Sequence, residues 1–176
     1  MKKLLVVVDF QNDFVDGSLG FPGAAGLEGR IADKIGLYRR MGDEIVFTFD
    51  THNEDYLSTR EGKNLPVRHC IRNTPGWELY GSISGMCDVT ARRFEKNAFG
   101  SLELAAYLAQ NKYDSVELVG LVSNICVLSN AVLAKAALPE AEIIVDASCT
   151  ASYDNDLNRK TLEVMQGMQI EVINNP

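Results

Sequence analysis

Histidine is nearly absent from this chain: among 176 residues there are two, His52 and His69. There is one tryptophan, there are four cysteines, and no stretch approaches 18 apolar residues in a row. Without such a run no membrane-spanning helix is expected. Met1-Lys2-Lys3 followed by Leu4–Val8 imitates the start of an export signal. The five-residue run meets Asp9 and is too short for export, so a buried strand is the better reading. Cations are also scarce, with 17 Lys plus Arg against 24 Asp plus Glu and a net charge of -7. Arg39-Arg40 and Arg92-Arg93 are isolated pairs, and a chain without a basic stripe is a poor partner for nucleic acid. Four cysteines without an export signal point to a reduced, cytoplasmic protein in which each thiol is a core residue or a reagent.

What is present is a globular balance, 46% apolar and 23% charged, which excludes low complexity and disorder. Residues 1–176 are expected to form one domain. Leu4–Val8 reads as a strand covered on both faces, and Leu27–Arg40 as a helix stopped by Gly42. Glu44–Phe49 is a second strand and Val89–Phe94 a weaker third. Between them, Thr51–Tyr80 has no period, and loops that long inside a compact domain are usually functional or disordered. Ser101–Gln110 is a helix capped by Ser101, Val116–Val119 a strand, and Cys126–Ala137 a helix. Ile143–Val145, a helix over Asp156–Gln166 and Gln169–Ile173 complete the chain. Six strands alternating with helices predict an α/β fold, a doubly wound, mostly parallel sheet of order 3-2-1-4-5-6 with helices on both faces. Ligands then bind beyond the carboxyl ends of the strands, where the order switches between strands one and four.

That rule singles out four places. Asp9, at the tip of a buried strand, suits a general base if desolvation raises its pKa; alternatively it is a turn aspartate. Cys126 opens a helix, where the dipole favours a thiolate and free N–H groups can hold an oxyanion. Buried structural cysteines are commoner, but the crevice position favours reactivity. Lys96, ordinarily a solvated charge, would in that crevice hold Asp9 ionised and help the thiol lose its proton. Asp50 and His52 form a D-x-H pair on one face of an extended segment. With His69 they make a two-histidine, one-carboxylate set suited to zinc, iron(II) or manganese, and Glu61 is a candidate fourth ligand.

VVVDFQNDF, FDTH, RHCIRNTPGWEL, FEKNAFGS and GLVSNICV stand in this order along the chain. Together they resemble the isochorismatase-like cysteine hydrolases, and the nicotinamidases among them. The resemblance implies an Asp–Lys–Cys triad at Asp9, Lys96 and Cys126. It also implies a cis peptide before Val122 that aims the amides of Val122 and Cys126 at the oxyanion. Further implications are Phe14 and Gln11 as substrate contacts and a metal on Asp50, His52 and His69 that binds a pyridine nitrogen. A small amide would be the partner, and a homo-oligomer the assembly. One departure stands out: nicotinamidases generally carry a ring-stacking tryptophan shortly before the metal histidine. Here the stretch is Leu65-Pro66-Val67-Arg68-His69, and Trp77 lies too far along to be assumed a substitute. Metal-free relatives hydrolyse carbamoyl compounds, ureides or isochorismate, and the isochorismatases lack the cysteine.

Overall fold

The computed structural model describes residues 1–175. Its strands are β1 (Lys3–Val8), β2 (Glu44–Asp50), β3 (Arg92–Lys96), β4 (Ser115–Leu121), β5 (Glu142–Ala151) and β6 (Glu171–Ile173). They form one six-stranded sheet of order β3-β2-β1-β4-β5-β6 in which every neighbouring pair is parallel. The helices are α1 (Asn12–Val15), α2 (Glu28–Met41), α3 (Arg60–Asn64), α4 (Gly81–Met86), α5 (Leu102–Asn111), α6 (Leu128–Ala137) and α7 (Asn155–Gly167). Among the described residues no helix is long and apolar enough to cross a membrane.

The unbroken apolar run of β1 follows from the sheet being covered on both faces. Alternate side chains point to opposite sides, so Leu4, Val6 and Val8 join the core beneath α5, α6 and α7. Leu5 and Val7 join the opposite core with Ile31, Ile35 and Tyr38 of α2 and Ile83 of α4. The sheet therefore fixes where each strand ends, and those ends carry the site.

Several boundaries differ from the sequence reading. The third strand covers Arg92–Lys96 rather than Val89–Phe94, and Val89 is 99% exposed. At this sheet edge, pairing of Phe94 with Thr48 and Lys96 with Asp50 sets the strand, overriding the β-branched residue outside it. Strand β5 is ten residues long, beyond the expected Ile143–Val145, because its polar second half still pairs with Gly120 and Leu121 after a register shift. The last strand begins at Glu171 rather than Gln169. Thr51–Tyr80 holds the short helix α3 and two single turns, Tyr56–Ser58 and Pro75–Trp77. Cys126 does not open a regular α-helix: Ser123–Val127 forms a π-turn, and α6 begins at Leu128.

Candidate active site

Four chain segments reach the carboxyl edge of the sheet around the switch between β1 and β4. Asp9 leaves β1 in the left-handed region (φ 42°) and is fully buried. Asp50 and Lys96 are the last residues of β2 and β3, paired side by side, rather than residues of the following loops. Cys126 follows β4 in the π-turn, where the N–H groups of Ile125 and Val127 both donate to the Val122 carbonyl and the Cys126 amide is passed over. The peptide between Leu121 and Val122 is cis.

Lys96 is the hub. Its Nζ lies 2.6 Å from Asp9 Oδ2, 3.6 Å from Cys126 Sγ and 3.6 Å from Asp50 Oδ1. Burial alone would lower the Lys96 pKa, but Asp9, Cys126 and Asp50 push it above its ordinary value, so the ammonium is fully charged. Burial pushes the Asp9 carboxyl up, with Lys96 opposing and Asp50 assisting. Thr48 Oγ1 donates to Asp9 Oδ1 at 2.6 Å, a partner no motif announced. Burial also raises the Cys126 thiol well above its usual value, and the Asp9 charge raises it further against Lys96. These effects run against the lowering that a helix terminus favours, and they keep on the sulfur the proton that Asp9 is expected to accept. A carboxylate whose affinity for a proton is raised, beside a thiol and an ammonium, can accept the thiol proton and return it.

The second cluster shares Asp50. His52 Nε2 lies 3.1 Å and His69 Nε2 3.3 Å from Asp50 Oδ2, and Glu61 Oε1 lies 3.7 Å from both nitrogens. His69 Nδ1 sits 2.8 Å from the Val67 carbonyl, which can only accept, so Nδ1 carries the hydrogen. In the neutral ring Nε2 then presents a lone pair toward the Asp50 carboxylate, the orientation a metal ligand needs. Burial would lower the His69 pKa, but its bonds to Asp50 and Val67 raise it. Burial would raise Asp50, yet hydrogen bonds from the two histidines hold it well below the usual carboxylate range. Glu61 is raised by burial and by Asp50. The donor set of Asp50, His52 and His69, with Glu61 at its rim, fits a divalent metal ion. Three ionised carboxylates against one ammonium would also leave two negative charges for such an ion to balance.

Both clusters open on one cavity of about 430 Å³ lined by Asp50, Glu61, His69, Val122 and Cys126 and by an apolar wall of Phe14, Leu19, Phe21, Leu65, Phe99, Ile125 and Tyr153. Phe14 lines this cavity, its ring 5.6 Å from that of His69. Gln11 does not: it is fully buried outside the cavity, with both ends of its amide bonded to main chain. Trp77 is no substitute for the missing tryptophan, since it packs on Phe49 at 5.2 Å and donates to Thr51 Oγ1. Sequence reasoning missed Tyr56, whose buried ring backs both histidines, and Asn130, whose Nδ2 donates to the Cys126 carbonyl. Neither carries a local signal, since a tyrosine in an aperiodic loop and an asparagine inside a helix acquire partners only on folding.

Comparison with known proteins matches residues 3–175 to the isochorismatase domain. An uncharacterized isochorismatase family protein, PncA, of Bacillus subtilis is 30% identical over 89% of this chain and 90% of its own. The nicotinamidase/pyrazinamidase of Mycobacterium tuberculosis is 27% identical over 97% of this chain and 98% of its own. The crystal structure of the pyrazinamidase of Pyrococcus horikoshii in complex with zinc superposes with a TM-score of 0.86 at 26% identity, covering 99% of this chain and all of that one.

Proposed function

The chain belongs to the isochorismatase family, and from that premise we propose that it is a metal-containing cysteine amidohydrolase converting nicotinamide to nicotinate and ammonia. One observation carries the reading: a single ammonium, Lys96, touches both the thiol–carboxylate pair and the metal-ligand carboxylate. Cys126 Sγ and Asp50 Oδ1 are therefore no more than about 7 Å apart, within reach of one small aromatic amide.

In this mechanism Asp9 takes the proton of Cys126 as the sulfur attacks the carboxamide carbon. The amides of Val122 and Cys126 face the oxyanion, and removing one such donor typically costs roughly 3 kcal/mol of barrier. Asp9 then protonates the departing ammonia, leaving a thioester on Cys126. Water attacks that thioester, Asp9 accepts its proton, and nicotinate leaves as the thiol reforms. Lys96 orients Asp9 and stabilises its anion. Phe14 and the apolar wall exclude water from the ring. A divalent ion on Asp50, His52 and His69, with Glu61 as a further ligand, supplies a Lewis-acidic position for the pyridine nitrogen when bound, and zinc suits the two imidazoles.

The free state of all four cysteines supports a reducing, cytoplasmic location. Exposed Phe99, Leu102 and Val132 support a homo-oligomer, to be measured by light scattering. The region matched to the family is read as one domain.

Ammonia release tests the function. Nicotinamide should be hydrolysed far faster than benzamide, which keeps the carboxamide and lacks the ring nitrogen, and chelation should nearly abolish the nicotinamide rate. Equal rates with benzamide, or full activity after verified metal removal, would refute the ring-holding role. A preference for carbamoyl compounds or ureides in the same panel would put that amidase reading first.

A further inference from the structure

The DFQNDF segment supplies Asp9, but its Gln11 and Asp13 take no part in the mechanism. Gln11 is turned toward the backbone of the metal ligand Asp50, and Asp13 toward that of Cys70, the residue after His69. Gln11 Nε2 donates to the Asp50 carbonyl at 2.9 Å and to the Trp77 carbonyl at 2.8 Å, while its Oε1 accepts the Asp50 N–H at 2.8 Å. Strand β1 has already turned away at Asp9, so at Asp50 this side-chain amide replaces a strand partner. Asp13 Oδ2 accepts the N–H of Cys70 at 2.7 Å, immediately after His69. Cys70 occupies the left-handed region (φ 45°), which a non-glycine residue keeps only where its surroundings fix it. The Cys70 carbonyl in turn accepts the N–H of His52 at 2.9 Å. The Asp13 carboxylate thus holds a corner from which both histidines hang. Gly76 backs directly onto that carboxylate, and any Cβ there would land on it.

We propose that Gln11 and Asp13 are positioning residues for the metal, acting through the main chain of Asp50, Cys70 and His52 to bring the ligand atoms to one point. The inference rests on the metal reading above and adds two residues that touch neither ion nor substrate. Removing such an outer partner typically weakens metal affinity about 10–100-fold.

The test is the zinc dissociation constant by chelator competition for the wild-type chain and for Asp13→Ala, Asp13→Asn, Gln11→Ala and Gln11→Glu. The cobalt-substituted visible spectrum serves as a readout of ligand geometry, and the melting temperature of the metal-free chain as a control. Asp13→Ala and both Gln11 variants should lose about 10–100-fold in affinity and alter the cobalt spectrum. Asp13→Asn keeps an acceptor for the Cys70 N–H, folds with the least disturbance, and should recover most of the loss. Wild-type zinc affinity and an unchanged cobalt spectrum in Asp13→Ala and Gln11→Ala would overturn the positioning role alone. Loss in Asp13→Asn equal to that in Asp13→Ala, tracking a fall in metal-free stability, would assign the carboxylate to the fold and overturn it as well. A wild-type chain that takes up no zinc, cobalt, iron or manganese would overturn the metal reading itself, and the positioning role with it.

Discussion

Asp9 and Cys126 oppose each other electrostatically, and that opposition separates two roles of the carboxylate. The Asp9 charge helps keep Cys126 protonated at rest, while Lys96 favours the thiolate. Asp9→Asn removes the proton acceptor and also the charge that holds the thiol up. We expect kcat to fall about 10²–10⁴-fold while alkylation of Cys126 by iodoacetamide, followed by mass spectrometry, speeds up. Loss of both together would reduce Asp9 to a scaffold residue. Cys126→Ala should lose at least about 10³-fold in kcat with an unchanged melting curve, since a deleted nucleophile leaves only binding and oxyanion contributions. Full activity in that variant would end the thioester mechanism.

Among the elements, β4 and the turn after it are the most constrained. Gly120 has φ 113°, a conformation L side chains rarely adopt, and a Cβ there would strike the Val8 carbonyl of the neighbouring strand. The register shift between β4 and β5 falls at this residue, just before the cis peptide and the π-turn that carries Cys126. Gly120→Ala should therefore cost about 2–4 kcal/mol, from backbone strain and overpacking together. In a chain this long that corresponds to a melting temperature lower by roughly 5–15 °C. Gly29, on α2 with nothing near its Cβ position, provides the control: Gly29→Ala should leave the melting curve unchanged or slightly raised. A Gly120→Ala chain as stable as wild type would contradict the close approach of β1 and β4.

Across the whole molecule, α2 is fastened to the sheet by charge as well as by packing. Lys34 Nζ lies 2.6 Å from Glu117 Oε1 of β4 and 2.5 Å from Asp146 Oδ2 of β5, and Tyr38 donates to Glu117 Oε2 at 2.7 Å. Burial would raise the Asp146 carboxyl, but bonds from Lys34, Ser148 and Asn174 hold it below its ordinary value. A depressed carboxylate contributes stability above its unfolded pKa of 3.8, and that contribution is lost as pH falls through the folded value. Burial would lower Lys34, yet the bonds to Asp146 and Glu117 raise it, so its contribution is complete below 10.5 and lost at higher pH. The urea midpoint should be flat near neutrality and fall at both extremes. Asp146→Asn should lower the plateau and flatten the acid limb below the ordinary carboxylate pKa of 3.8. An acid limb as steep in Asp146→Asn as in wild type would show that other carboxylates govern it.

The sequence by itself determined the alternation of strands and helices, the order of the sheet and the edge at which the functional side chains gather. Those follow from local periodicity and from the handedness of crossovers, neither of which needs a distant contact. It also singled out Asp9, Lys96, Cys126, Asp50, His52 and His69 as candidates, through their places after the strands and the motifs that hold them. Only the tertiary structure decided what each touches. Edge pairing with β2, not local β-propensity, put Lys96 at the end of β3 against both acids. Gln11 reads as a polar residue near a site, yet chain reversal after β1 aims it at the Asp50 backbone, away from the cavity. Desolvation and the Asp9 charge, which exist only in the packed state, raise the Cys126 thiol against the lowering its place at a turn start favours. Burial and distance arise between segments far apart in the chain, and no local pattern of residues encodes them.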